Sequence, residues 1–335
     1  MCGGVCVDVQ NSPKNCGGCG IVCNTTCASG VCLLVQESDG GPPPTVGDNA
    51  CLTVDSTNVY WGTGLSGGSV WKVPLTGGMP ALVVGGQASP HALASDGTTL
   101  FFADEGTMGQ CNGSVMAVAV GGVGSVATII AANQCYPVDI AVDASNVYWT
   151  NQGDGSVWKS NKTVPNPTNL VPAAGSGHAG AMRIDATHVY FTDATSGVVD
   201  RVPIGGGSVT TLTTTGVPGV GRLAIDATTA YFGSRGNTSA AILSVPLTAS
   251  GGMPAQVLTN LPSLAGIHTD GVDLWFAEPS GSGSAGTGQI HRATVAGTSD
   301  STLASMQNGP GCIVVDSTSV YWIDTGGGMI SKTAR

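Results

Sequence analysis

Charge is scarce in this sequence: 11 Lys and Arg and 21 Asp and Glu stand among 335 residues, 10% of the chain. A soluble domain usually carries about 25%. The basic residues form no patch along the chain, which excludes a nucleic-acid binder, because phosphate contacts need clustered cations. Glutamate is rarer still, with only Glu37, Glu105 and Glu278, so a hard-cation site built from several carboxylates has little to draw on. No GxSxG with a His partner in an α/β context occurs, nor an HExxH, P-loop or Rossmann fingerprint with its helix. No helical period of useful length is visible either, which leaves an all-β chain. A basic and apolar prefix is also missing, since Met1 runs straight into Cys2. The expectation is that the chain starts late and that an export signal lies upstream.

Glycine, by contrast, is abundant, with 52 residues, accompanied by 18 prolines and 11 cysteines. Apolar residues make up 41%, enough to offset the ordering entropy of a folded chain. Seven cysteines (Cys2, Cys6, Cys16, Cys19, Cys23, Cys27 and Cys32) fall in the first 32 residues. Such density reads as a disulfide-stapled module too small for a core of its own, and it implies an oxidising compartment. The rival reading is zinc at Cys16-Gly-Gly-Cys19, but no second CxxC and no early histidine support it. An odd total of 11 leaves one cysteine without an intramolecular partner. Val115 to Ala132 is apolar enough to suggest a membrane span. Its Gly121-Gly122 centre and β-branched residues read instead as two strands joined by a tight glycine turn, so no transmembrane segment is expected.

Internal periodicity decides the fold. An apolar–x–apolar–Asp–x–x–x–apolar–aromatic–aromatic pattern recurs seven times, anchored at Asp55, Asp96, Asp143, Asp185, Asp226, Asp270 and Asp316. The anchors are 41 to 47 residues apart, and 14 of the 17 aromatics fall in the paired positions. Each copy reads as strand, Asp-led turn and aromatic strand. A third strand (GSVWKVP, GSVWKS, GVVDRVP, AILSVP) follows, with a fourth after it. Gly77-Gly78, Gly121-Gly122, Gly205-Gly206 and Gly251-Gly252 are expected to close the last hairpin with positive φ. Four antiparallel strands per repeat, seven times over, predict a seven-bladed β-propeller at 51–335. Residues 1–36 form the cysteine-rich module and 37–50 a Gly/Pro-rich linker. The seventh copy ends after its third strand, so Val31 to Gln36 is expected to supply the closing strand of blade 7.

Two disulfides follow from the register. Cys51 and Cys312 each lie four residues before their anchors, in the first and seventh copies, and meet only if the ring closes. Cys111 and Cys135 lie in two loops of blade 2 that emerge on the same face.

The aromatic pairs resemble the YWTD-type repeats of lipoprotein-receptor-like propellers, through Tyr148-Trp149-Thr150, Tyr190-Phe191-Thr192-Asp193, Tyr321-Trp322-Ile323-Asp324 and Phe101-Phe102-Ala103-Asp104. That family has six blades where seven anchors stand here. Residues 2–32 are similar to a cysteine-rich module of secreted and surface proteins of myxobacteria, which implies export. In blade count the chain also resembles streptogramin-lyase-like proteins, which use a His with Mg²⁺. Lactonase-like propellers hold a divalent metal through Glu, Asn and Asp.

By register, the polar residues nearest the mouth of the central channel are His91, Asp139, Arg183, Arg222 and His268. His91 and His268 are the base candidates, with Asp139 the only carboxylate on an inner strand. The seven anchor aspartates are turn formers rather than a ligand array. The preferred expectation is a monomeric, extracellular or surface-attached, non-catalytic module that binds protein or polysaccharide through one face, with no cofactor. The alternative is a metal-assisted lyase or lactonase at the channel mouth, with Mg²⁺ or Ca²⁺ and His91, His268 and Asp139.

Overall fold

Seven sheets stand around a central axis. The structure, a computed structural model, describes residues 2, 7–35, 51–63, 67–122, 124–172, 178–214, 216–236, 239–279, 286–326 and 328–335. The linker 37–50, Gln36 and Cys6 lie outside the described residues. Blade 1 runs Thr53–Val54, Asn58–Thr63, Gly68–Pro74 and Ala81–Gln87 from the axis outward, and blades 2 to 6 repeat this antiparallel order. The fold is a seven-bladed β-propeller, and no helix occurs among the described residues. The apolar residue three before each anchor, from Leu52 to Ile313, is buried in every copy. Successive blades share cores: Phe101, Val115 and Ile130 of blade 2 pack on Ile140, Val147 and Trp149 of blade 3. Trp149 and Trp322 each donate an indole N–H to a glutamine ending the previous blade's fourth strand, Gln134 at 2.8 Å and Gln307 at 3.0 Å.

Each anchor aspartate works as an Asx turn. In blade 1 the Asp55 Oδ1 accepts the N–H groups of Thr57 (2.7 Å) and Asn58 (2.8 Å), and all seven copies repeat the arrangement. The other oxygen accepts the hydroxyl of the first aromatic wherever that residue is tyrosine, at 2.7–3.0 Å for Tyr60, Tyr148, Tyr190, Tyr231 and Tyr321. Burial pushes the Asp55 carboxyl upward, but the Tyr60 hydroxyl and the turn N–H groups outweigh it and hold it below its usual range. Blades 2 and 6 carry Phe101 and Trp275 instead. There a cation of the next blade takes the vacant oxygen: Lys162 reaches Asp96 at 2.8 Å, and Arg335 pairs with Asp270. Each cation also lies over the ring that replaced tyrosine, Lys162 at 5.5 Å from Phe101 and Arg335 at 4.7 Å from Trp275.

Other basic residues lock neighbouring blades. Lys72 donates to the Val120 carbonyl (2.6 Å), Lys159 to Ile204 (2.6 Å), Arg201 to Leu247 and Lys332 to Leu75 (2.5 Å). Donors and acceptors occupy equivalent positions, third strand to the residue after the next blade's third strand. Lys332 to Leu75 joins blade 7 to blade 1. Arg292 pairs with Asp273 within blade 6.

Blade 7 is closed from the other end of the chain. Val31–Val35 pairs antiparallel with Met329–Ala334, and Thr26–Ala28 adds a fifth, outermost strand. Disulfides Cys2–Cys19, Cys16–Cys27 and Cys23–Cys32 staple the N-terminal segment, so Cys16 and Cys19 are bonded to separate partners rather than sharing a metal. Cys51 is bonded to Cys312 and Cys111 to Cys135. Five disulfides point to an extracellular environment.

Two local expectations need correcting. Val115 to Ala132 does form two strands, Gly113–Ala119 and Thr128–Gln134. The connection, however, runs through residues 120–127, and Gly124 rather than Gly121 or Gly122 has positive φ. The double glycines sit in longer loops than a two-residue turn. Gly77, Gly78, Gly206 and Gly251 take positive φ, whereas Gly205 and Gly252 do not.

Asp324, at the end of the blade 7 aromatic strand, buries an acid. Its equivalent in blade 2, Asp104, accepts the N–H groups of Ala88 and Ser89, whereas the buried Oδ1 of Asp324 has no hydrogen-bond partner. Burial pushes its carboxyl up to about 7. Between pH ~4 and 7 the unfolded chain ionises this group while the folded chain keeps it protonated, so stability falls as pH rises through that window. Asp324→Asn removes the titration. Its stability relative to wild type is expected to rise by about 4 kcal/mol from pH 4 to pH 8. Urea unfolding at the two pH values measures this, and an unchanged gap would refute the buried-acid account.

Candidate functional site

The inner strands of all seven blades line one cavity of about 470 Å³ on the propeller axis, through residues such as Thr53, Ala92, Asp139, Arg183, Leu223, His268 and Val314. A volume of several hundred Å³ is that of a ligand pocket. Loop residues extend one rim: Gln152 and Ser234 beside second-strand ends, His178, Val220 and Leu264 on blade-to-blade crossings. In an up-and-down blade those loops share a face, so the cavity opens toward the side carrying Cys111–Cys135.

Four of the five residues expected at the mouth come together here. Asp139, Arg183, Arg222 and His268 all line the cavity. Asp139 accepts the N–H of Met182 (2.7 Å) and of Ile140 (2.9 Å), with Arg183 Nη1 at 3.4 Å. Burial raises the Asp139 carboxyl, while Arg183, the two N–H groups and Arg222 oppose the rise. His268 is tilted against Trp275 at 6.2 Å. Burial first, then Arg183 and Arg335, lowers its pKa to about 4, leaving a neutral imidazole at neutral pH.

His91 is the exception. It does not line the cavity; its Nδ1 donates to the Val138 carbonyl at 3.3 Å and lies 3.4 Å from Glu105. Burial, with Arg222 adding to it, lowers its pKa to about 4. It stands five residues before its anchor, one beyond the register that faces the axis, and the blade 2–blade 3 contact covers the ring. His91, His268 and Asp139 are therefore not assembled around one point. Among the described residues no three His, Cys, Asp or Glu side chains converge as a metal centre needs. Among the described residues the one carboxylate of the cavity, Asp139, is already held by Arg183 and two N–H groups.

Arg235 and His178 line the cavity as well, and the register did not point to them because both lie at the irregular ends of strands. His178 Nδ1 is fixed on the Gln152 carbonyl at 2.8 Å. With Arg235, three of the six arginines of the chain face one cavity beside a single carboxylate. The basic residues elsewhere in the propeller bond blade-to-blade carbonyls or aspartates, as Arg183 itself bonds the Met182 carbonyl and Asp139. In a chain of net charge −10, the axis is a local positive site.

No protein-family profile and no curated protein matches the chain. Among solved structures, the virginiamycin B lyase from Staphylococcus aureus is similar with a TM-score of 0.67 at 15% identity, over 88% of this chain and 98% of that one. A chain of the nidogen/laminin complex gives 0.52 at 15% identity, over 68% and 85%. BamB from Moraxella catarrhalis gives 0.54 at 14%, over 86% and 83%. At such identities the likeness is one of fold, shared by a lyase and by a member of a protein complex alike.

Proposed function

We propose that this protein is a secreted or cell-surface, non-catalytic binding module that engages protein or polysaccharide at the channel-mouth face. One observation carries the reading: Arg183, Arg222 and Arg235 gather at a cavity of about 470 Å³ with one carboxylate among them, in a chain whose remaining propeller cations brace the fold. Guanidinium groups present planar donor edges suited to carboxylate or sulfate, and a partly enclosed site strengthens them. The five disulfides support a place outside the cytoplasm. A metal-assisted lyase or lactonase draws less support, because His91 does not line the cavity that holds Asp139 and His268.

Titration calorimetry with oligogalacturonate and with a polyglutamate peptide, at low and high salt, tests the reading. Wild type is expected to bind at least one probe, more weakly as salt rises. Arg222→Ala with Arg235→Ala is expected to lower affinity at least about tenfold. Met79→Ala with Met253→Ala, at exposed loop positions on the opposite face, is expected to leave it unchanged. Equal losses from both pairs, or no binding of either probe, would overturn the assignment of the face.

A further inference from the structure

Asp139 occupies a peculiar position in a site read as anion-binding, since it is a carboxyl group already there. Its Oδ2 meets Arg183 Nη1 at 3.4 Å, long for a charge-assisted bond, which normally closes to about 2.7–2.9 Å. Among the described residues both hydrogen bonds of Arg183, to Asp139 and to the Met182 carbonyl at 2.5 Å, use that same nitrogen. The Nε–Nη2 edge remains for a second, bidentate partner. Arg183 and Asp139 are part-exposed in the cavity, 40% and 22% by side chain. Arg222 and Arg235 lie on the neighbouring blade at the same cavity.

Resting on the channel reading above, we infer that Asp139 is an internal placeholder for the carboxylate of an acidic peptide segment of a protein partner, which competes with it for Arg183. The cavity lining favours a peptide over a sugar. Among the described residues it contains no Trp, Tyr or Phe face on which a sugar ring could stack. The placeholder keeps Arg183 paired when the partner is absent. It also keeps affinity moderate, because an incoming carboxylate meets a like charge.

The test uses a fluorescein-labelled Gly-Ser-Gly-Ser-Glu-Glu peptide with a free C-terminus, its amidated Gln-Gln counterpart and oligogalacturonate, read by fluorescence polarisation or calorimetry. Asp139→Asn keeps an acceptor for the Met182 and Ile140 N–H groups and removes the charge. It is expected to tighten binding of the acidic peptide about 5–10-fold without rescuing the amide. Arg183→Gln is expected to weaken it at least about tenfold. Thermal midpoints within a few degrees of wild type identify variants that keep the fold. A folded Asp139→Asn that binds the acidic peptide no better than wild type overturns the placeholder. Binding of oligogalacturonate with neither peptide bound overturns the peptide class while leaving the channel reading intact; silence from all three probes removes the channel reading itself.

Discussion

Replacing Cys51 or Cys312 with serine lowers the thermal midpoint by about 10–15 °C, and replacing both costs no more than replacing one. The bond spans 261 residues, the longest separation in the chain. Opening it returns unfolded-state entropy on the order of 4–5 kcal/mol, and a chain of this size shifts by roughly 2–4 °C per kcal/mol. The link also sits where connectivity contributes least. Blades 1 to 7 follow one another along the chain, so six interfaces are joined covalently in passing. The first three strands of blade 7 meet blade 1 only in space, and its closing strand, Val31–Val35, is joined to blade 1 by the long connection 36–50. Leu52, Val59 and Trp61 pack there on Tyr321, Ile323 and Ile330, and Lys332 reaches across to Leu75. Differential scanning calorimetry of the two single variants and the double variant decides the matter. Additive losses would mean that each cysteine acts through local packing, and a loss under about 2 °C would remove the bond's part in holding the seam.

That bond was legible because it depends on a repeat register, and the register depends on requirements each copy must satisfy by itself. An Asx turn needs its aspartate, and a strand buried on both sides needs its aromatics. Only two copies lack the tyrosine that completes the turn. The substitutes for its hydroxyl, Lys162 and Arg335, lie on the following blade in space and could not be paired with Phe101 and Trp275 before the blade order was known. The same holds for the carbonyl locks of Lys72, Lys159, Arg201 and Lys332. In sequence they are isolated cations; in the ring they answer one geometric demand, repeated. The site was half legible for the same reason. Arg183, Arg222, Asp139 and His268 stand at register positions that must face the axis. His91 stands one residue beyond that register and turns into the contact between blades. His178 belongs to a crossing and Arg235 to the end of a second strand, and both have lengths that vary between copies, where period carries no information. The scattered arginines look unrelated along the chain because ring geometry, not sequence distance, brings them to one cavity.

Leu34→Ala is expected to destabilise the whole propeller by about 2–5 kcal/mol, although the residue belongs to a segment that precedes the first blade. Strand alternation explains why. In Val31–Val35 the side chains of Val31 and Leu33 pack with the cluster shared by blades 6 and 7, among Trp275, Ala277 and Ile313. Cys32 and Leu34 point the other way, into the cluster with Val59, Trp61 and Val73 of blade 1. This strand therefore fills both flanks of blade 7, as the fourth strand does in every other blade. Thr333 Oγ1 adds a bond to the Gly30 carbonyl at 2.9 Å, and Asn24 N–H one to Thr76 at 2.6 Å. A module merely tethered to the ring would unfold by itself and leave the main transition in place. A closing strand shares that transition. Leu34→Ala and Leu33→Ala are thus expected to lower one common calorimetric midpoint, the first by loosening the blade 1 side and the second by loosening the blade 6 side. A separate low-temperature transition in either variant, with the main midpoint unmoved, would show that the seventh blade stands without its N-terminal strand.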